Sequence, residues 1–273
     1  MHMSNLKSLA MWIAAAWLFG AAPGARAAVP VPVPCGLGLV QNGLFHFAQM
    51  RQAGIPRGRV RVTYVGHSTF FIETSGGASA ATDYNGVHLP PSVPQIVTMN
   101  NRHETHYTEM PDPTILHVLR GWDPKGGIAR HEVRHKDMRV YNLPTNIINF
   151  GAGSSNGNSV FVFEAGGLCL AHLGHLAHFL SKQQVNRLGR IDVLFVPVDG
   201  RSTVSHDEAM HIVDQIRPRL VIPMHFAFTG PEEFAAMVAP RHAVRMHESK
   251  TIVLSRAMLP EKTEVLFLLG GDR

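Results

Sequence analysis

Short apolar or alternating segments, separated by turn residues, recur along the chain and limit its fold more than any other sequence feature. Their length and period predict strands, over residues 60–65, 69–73, 95–98, 160–164, 168–171, 193–198, 220–223, 251–254 and 265–269. Apolar residues at helical spacing are fewer and predict helices over residues 181–188, 205–216 and 231–238. No charged or Ser/Gly-rich linker divides these segments. The sequence therefore predicts one α+β domain in which helices cover sheets.

The first 27 residues have the three parts of a secretory signal peptide. Lys7 precedes an apolar run over residues 9–19, and residues 25–27 read Ala-Arg-Ala, the A-x-A form of a cleavage site. The apolar run is shorter than the roughly 20 residues that span a bilayer. This favours a cleaved leader over the alternative, an uncleaved membrane anchor.

The segments after the leader predict a tether followed by the domain. Residues 29–34 alternate Val and Pro, which excludes a helix because Pro lacks an N–H and fixes φ. We therefore expect an extended tether and lead-in over residues 28–59 and the domain over residues 60–273. The mature protein is expected in the periplasm and free of the membrane.

The two cysteines, Cys35 and Cys169, leave two possibilities open. An oxidising compartment permits a disulfide between them. Cys169 lies in an apolar run that reads as a buried strand, however, and one distant pair gives no framework signal. A buried free thiol at Cys169 is the expectation from the sequence.

Charge and composition exclude one class of partner and favour another. The formal net charge is +5, from 25 Lys and Arg against 20 Asp and Glu, but the basic residues form no run that would follow a phosphate backbone. We therefore expect no nucleic-acid partner. The 17 histidines instead indicate metal chemistry, because imidazole is the commonest protein metal ligand. The expected partner is a small-molecule substrate. The oligomeric state stays open.

Histidines directly follow three of the predicted strands. They are His103 and His106 after the third strand, His172, His175 and His178 after the fifth, and His225 after the seventh. Sites at strand ends can meet at one edge of a sheet, where imidazole nitrogens 2.0–2.1 Å from one zinc ion would bind it. A spacing of three drifts around an α-helix, so we expect only one or two ligands among the second group. The alternative is that these rings hydrogen-bond neighbouring backbone groups.

Residues 131–135 read H-E-x-x-H, the pattern of two zinc-binding histidines on one helix face. Arg134, Lys136 and Asp137 surround the pattern with charge, and residues 138–141 alternate as in a strand. We therefore predict an extended edge strand here rather than a zinc-protease site.

Seven blocks occur in an order that is typical of a known superfamily. They are residues 66–74 (GHSTFFIET), 82–83 (TD), 101–106 (NRHETH), 157–164 (GNSVFVFE), 172–176 (HLGHL), 196–200 (VPVDG) and 218–226 (PRLVIPMHF). Together they resemble the metallo-β-lactamase fold superfamily, in particular the compact hydrolases related to ascorbate-6-phosphate lactonase and N-acylphosphatidylethanolamine phospholipase D. The resemblance implies an αββα sandwich with a metal-dependent hydrolytic site.

The metal-binding blocks depart from that superfamily in a consistent way. Its first block reads H-x-H-x-D-H, of which this sequence keeps two histidines, and a histidine replaces the carboxylate that bridges two metals in the later H-L-G-D. The resemblance then implies four imidazole ligands around one divalent ion, namely His103, His106, His175 and His225. Zinc is the expected ion, with copper and iron as alternatives because imidazole suits all three. An eroded site without metal is the other alternative.

The expected reaction is attack of a metal-activated water on an ester, lactone, amide or phosphoester. His172 or His178 would pass a proton to the leaving group, and Asn101 would hydrogen-bond an oxyanion. Asp83 would brace a ligand histidine, and His67 would line the pocket. The competing hypothesis is a periplasmic metal-binding or redox protein that holds copper or iron at an all-histidine site.

Overall fold

Two sheets make up most of the computed structural model, which describes residues 54–100, 104–147 and 154–270. The strands of the described ranges are β1 (Val60–Gly66), β2 (Thr69–Thr74), β3 (Ser79–Ala81), β4 (Ile96–Met99), β5 (His117–Arg120), β6 (Glu132–His135), β7 (Met138–Ile147), β8 (Ser154–Ala165), β9 (Leu168–His172), β10 (Val193–Pro197), β11 (Leu220–Met224), β12 (Ala243–Met246), β13 (Thr251–Leu254) and β14 (Glu264–Phe267). The helices there are α1 (Lys182–Leu188), α2 (His206–Ile216) and α3 (Pro231–Val238), with one 3₁₀ turn, Arg256–Met258.

The strand order brings several strand ends to the same place in each sheet. The six-stranded sheet has the order β13-β1-β2-β3-β4-β5, and the eight-stranded sheet has the order β12-β14-β11-β10-β9-β8-β7-β6. In the first, β3, β4 and β5 are parallel, and in the second, β9, β10 and β11 are parallel. The carboxyl ends of parallel neighbours lie at one edge of a sheet, where open α/β sheets bind ligands.

The main core lies between the two sheets. Phe70 and Ile72 of β2 pack in one cluster with Phe161 and Phe163 of β8 and Phe195 of β10. Strands buried on both faces read as continuous apolar runs, which explains why every residue of β9, β10 and β11 is buried. The two sheets therefore share one continuous apolar core at the level of these strands.

The outer faces of the two sheets are covered differently. Leu188 of α1, Ile212 of α2 and Phe234 of α3 pack with the outer residues of the eight-stranded sheet. On the six-stranded sheet, Tyr84 and Trp122 cover the outer face from loops. Within the described residues, the helical layer thus lies on the eight-stranded sheet, and the whole is the α+β sandwich that the sequence predicts.

Local sequence signals explain where the helices begin. Ser181 and Gln184 form a capping box at α1, as do Ser205 and Glu208 at α2, so backbone N–H groups without helical partners are satisfied. Pro231 occupies the first turn of α3, where its missing N–H costs nothing. All three predicted helices are confirmed.

The sequence located most strands and missed some. Each of the nine predicted strands is present, and the H-E-x-x-H stretch forms β6 at the edge of the eight-stranded sheet, as predicted. The short strands β3, β5 and β12 escaped prediction because three or four residues give too little periodicity. A tertiary pairing partner, rather than local pattern, makes these segments extended.

The expectation of a free thiol at Cys169 is wrong. Cys169 is buried in β9 and is disulfide-bonded. The only other cysteine of the sequence, Cys35, lies outside the described residues. Burial in an apolar strand therefore did not exclude pairing.

The expected leader and most of the tether and lead-in also lie outside the described residues, so both stay predictions. No helix among the residues that the structure describes has the length and hydropathy to cross a membrane.

Candidate functional site

Three histidines from distant parts of the sequence converge at one edge of the sandwich. His67 directly follows β1, His106 lies in the segment after β4, and His225 directly follows β11. One ring nitrogen from each lies within 4.8 Å of the others, and the Nε2 atoms of His106 and His225 are 3.2 Å apart. His106 and His225 are buried, whereas His67 is partly exposed. The group is therefore a preformed cluster with one side towards solvent.

The backbone fixes the positions of His67 and His225 relative to each other. The N–H of His225 donates to the carbonyl of His67 at 3.0 Å, and their ring centroids are 4.1 Å apart. Both residues have left-handed backbone, with φ of 52° and 63°. Such conformations cost about 1–3 kcal/mol in non-glycine residues and concentrate at functional sites. The hydrogen bond between the two turns helps to hold both conformations.

Asp83 orients His106. Its Oδ2 lies 2.6 Å from Nδ1 of His106, and the Ser68 hydroxyl lies 3.1 Å from the same nitrogen. Both Asp83 and His106 are fully buried. An Nδ1–H that donates to Asp83 leaves the Nε2 lone pair directed towards His225, which is the usual arrangement of a carboxylate behind a metal-binding histidine.

The electrostatics at Asp83 reflect burial opposed by polar neighbours. Burial raises the pKa of Asp83 to about 6, and His172, Ser68 and Asn100 act in the opposite direction. The carboxyl therefore sits in an environment in which a positive charge nearby would favour its ionised form.

A second carboxylate stands behind His225. Oδ1 of Asp199 lies 3.7 Å from Nδ1 of His225, and Asp199 accepts hydrogen bonds from Thr203 and from the Ser202 N–H. Burial raises the pKa of Asp199, but the bond from Thr203 and the nearby His225 outweigh it and hold that pKa below its ordinary value. Burial, followed by the rings of His67 and His106, lowers the pKa of His225 to about 2. His225 is therefore neutral, which is the form that binds metal.

The donor set and its spacing fit a divalent metal. Two nitrogens bound to one tetrahedral zinc ion at 2.0–2.1 Å lie about 3.3 Å apart, and the Nε2 atoms of His106 and His225 are separated by 3.2 Å. Neutral imidazole suits zinc, copper and iron alike. The residues present therefore fit the metal that the sequence predicts, although they do not choose among these ions.

The structure places the four predicted ligands in different positions. His106 and His225 lie in the three-histidine group, and the His175 ring lies beside it, with centroids 5.0 Å and 5.7 Å from theirs. His103 lies outside the described residues, as does Asn101. His67, which the sequence placed on the pocket wall, contributes a nitrogen to the group itself.

The two histidines expected to transfer protons make hydrogen bonds to the backbone. Nε2 of His172 lies 2.9 Å from the Ser68 carbonyl, and its Nδ1 accepts from the Gly174 N–H. His178 is hydrogen-bonded to the Phe179 carbonyl and the Asn146 N–H. These contacts favour the capping role that the sequence left open, and the proton-transfer role stays a prediction.

Sequence reasoning gave no role to two residues near the cluster. Asp199 stands immediately after a buried strand, and that position was a signal that could have identified it. His88 stacks on His67 with ring centroids 6.2 Å apart, and the amide of Asn85 contacts its Nδ1 at 3.1 Å. No local pattern marks His88, because a loop without periodicity brings it there.

Comparison with known proteins decides the family. The model of the β-lactamase superfamily domain matches residues 61–225, more than half of the chain. The chain belongs to the β-lactamase superfamily. A UPF0173 protein of Pyrococcus furiosus is 43% identical over 198 residues, which are 64% of this chain and 89% of that protein. A UPF0173 metal-dependent hydrolase of Methanosarcina barkeri is 25% identical over 66% of this chain and 90% of its own length.

The fold of this β-lactamase-superfamily protein also matches a solved structure. The relative, described as a Zn-dependent hydrolase of the metallo-β-lactamase superfamily from Thermotoga maritima, has a TM-score of 0.56 at 24% identity. The match covers 77% of this chain and 98% of the other. Together with the UPF0173 relatives, the matched domain places the chain in a metal-dependent hydrolase family, with a candidate histidine site. The narrower resemblance to ascorbate-6-phosphate lactonase stays a prediction.

Proposed function

We propose that this protein is an exported hydrolase that uses one divalent metal ion, zinc by preference, to activate water against an ester, lactone, amide or phosphoester. The observation that carries the proposal is the convergence of three imidazoles, His67, His106 and His225, within 4.8 Å of one another. Asp83 braces one of them from a fully buried position. Membership in a metal-dependent hydrolase family supports the same reaction class.

Each residue of the group contributes something that hydrolysis requires. A divalent ion held there supplies Lewis acidity and lowers the pKa of water towards neutrality. His106 and His225 are buried and hold fixed positions, while His67 is partly exposed and lies on the side from which a substrate enters. Asp83 and Asp199 place negative charge behind two of the rings and balance the charge of the ion.

The nitrogen-rich donor set supports one metal rather than two. The three-histidine group of the described residues includes no carboxylate, and His175 stands where the superfamily has its bridging carboxylate. Two cations close together need a shared anion to offset their repulsion. His175, beside His106 and His225, and His103 are proposed as further nitrogen ligands.

The all-imidazole set also favours a second candidate. A site without a carboxylate ligand suits copper or iron as well as zinc, and a periplasmic redox or metal-binding protein would use such a site without hydrolysis. Metal preference and turnover separate the two candidates.

Export is proposed from two features of the sequence and structure. The leader-like segment over residues 1–27 predicts secretion, and the disulfide at Cys169 suits an oxidising compartment such as the periplasm. The proposed substrate is a small molecule, with no nucleic acid as partner. Cell fractionation tests this: the protein should appear in the periplasmic extract, shortened by the leader, and retention in the cytoplasm would contradict it.

Metal content and turnover test the reaction. The full-length chain is expressed with export, and its metals are measured by mass spectrometry beside His225→Ala, with the exposed His211→Ala as the matched control. We expect about one metal per chain, a sharp loss in His225→Ala and no change in His211→Ala.

Hydrolysis of nitrophenyl esters, phosphodiesters, lactones or anilides with zinc would then support the enzyme. Tight copper or iron binding without turnover would support the second candidate, and two metals per chain would contradict a mononuclear site.

A further inference from the structure

Asn100 lies at a junction of the elements that carry the candidate metal site. It directly follows β4 and is fully buried. Its backbone N–H donates to the carbonyl of His106 at 3.3 Å and so closes the loop that ends in that histidine. The main chain of Asn100 is therefore tied to one ligand of the three-histidine group.

The side chain of Asn100 reaches the second sheet. Its Oδ1 accepts the N–H of Ser159 in β8 at 2.9 Å. Asn158, which precedes Ser159, stabilises the turn that follows β9. Its Oδ1 accepts the His175 N–H at 2.8 Å, and its Nδ2 donates to the Leu173 carbonyl at 3.0 Å. One asparagine pair thus connects the loop of His106 to the turn of His175.

Two glycines confirm how tightly this junction is packed. A Cβ on Gly121 would collide with Oδ1 of Asn100, and a Cβ on Gly174 would collide with Nδ2 of Asn100 and Oδ1 of Asn158. Gly174 also has a φ of 61°, which favours glycine. Both positions therefore require glycine while an asparagine occupies position 100.

We infer that Asn100 is a positioning residue of the metal site: through the His106 carbonyl and Ser159 it sets the relative placement of His106 and His175. It touches no ion itself. The inference rests on the proposed function, since it assumes that these histidines hold a metal. Groups behind metal ligands typically change affinity by 10–100-fold when they are removed.

The experiment uses the full-length protein and zinc as the probe. Asn100→Leu keeps the approximate shape without polar atoms, and Asn100→Ser removes atoms without adding bulk beside the glycines. The matched control is Asn142→Ala, since Asn142 also bonds Ser159, through its hydroxyl at 2.8 Å, but otherwise contacts Ala129 and His131. Zinc Kd is measured by chelator competition, and the Tm of the metal-free protein reports general stability.

The expected result is a zinc Kd raised about 10–100-fold in both Asn100 variants, with an unchanged Kd in Asn142→Ala at a comparable loss of Tm. Cobalt substitution should also show an altered visible spectrum in the Asn100 variants, because ligand placement changes. Folded Asn100 variants with wild-type Kd overturn the inference, as does an equal loss of affinity in Asn142→Ala. Failure of the wild-type protein to bind any divalent metal is a different outcome, which removes the proposed function itself.

Discussion

Two sets of histidines in this protein differ in sequence spacing and in whether their rings come together in the structure. The H-E-x-x-H stretch looks like a metal motif in sequence, yet Glu132–His135 forms an edge strand. His131, just before that strand, bonds the Arg120 carbonyl, and His135 lies against His117. His67, His106 and His225 have no common sequence motif, and their nitrogens meet. Residues four apart in a strand are about 13 Å apart, too far for one ion. Placement at strand ends, rather than spacing, therefore made the site.

Removal of a proposed ligand should have the largest effect on zinc affinity. His106→Ala removes the imidazole that Asp83 braces, so zinc affinity should fall by more than about 100-fold, beyond the usual effect of groups behind the ligands. His135→Ala removes a ring of the edge strand and should leave zinc affinity unchanged. Competitive titration with a chromophoric chelator measures both. Equal losses in the two variants would place the metal elsewhere.

Metal removal should destabilise the region of the cluster. An ion present at one hundred times its Kd stabilises the native state by about 2.7 kcal/mol, because the unfolded chain does not hold the three rings together. Urea unfolding with zinc and with chelator should show this difference in wild type and in His135→Ala. The same difference in His106→Ala would contradict the assignment of that ligand.

Loss of the bracing carboxylate should have a smaller effect than loss of a ligand. In Asp83→Asn the His106 ring loses its charged partner at 2.6 Å, and zinc Kd should rise about 10–100-fold. Asp199→Asn should cost less, because its contact with His225 is 3.7 Å. Asp192→Asn is the control, since this buried carboxylate bonds the Cys169 N–H outside the cluster. A larger effect for Asp199 than for Asp83 would reverse the ranking of the two.

The smallest effect should come from the edge strand itself. His131→Phe removes the hydrogen bond to the Arg120 carbonyl, 2.7 Å long, and should lower the free energy of unfolding by about 1 kcal/mol. Its zinc content should equal that of wild type. Denaturant titration and metal analysis on the same sample check both parts, and a loss of bound metal would revive the zinc-protease interpretation of the motif.

Much of the fold was predictable because its signals are local. Continuous apolar runs predict the strands β10 and β11. The capping boxes at Ser181 and Ser205 and the position of Pro231 predict where the three helices begin. The site was predictable only in part. His106 and His225 were predicted as ligands, and both lie in the three-histidine group. His67 was expected on the wall and lies within the group, since a turn with positive φ directs it there.

The sequence by itself determined most of the strands, the helix starts and the type of chemistry that 17 histidines allow. The tertiary structure decided which histidines meet and which residues hold them. His67 belongs to one sheet and His225 to the other, so their contact exists only after both sheets have packed on a common core. Asp83, Asp199 and Asn100 acquire their roles in the same way. Local sequence patterns encode the periodicity of strands and helices and the capping of helix ends. The convergence of the site histidines depends instead on packing between residues that are distant in sequence.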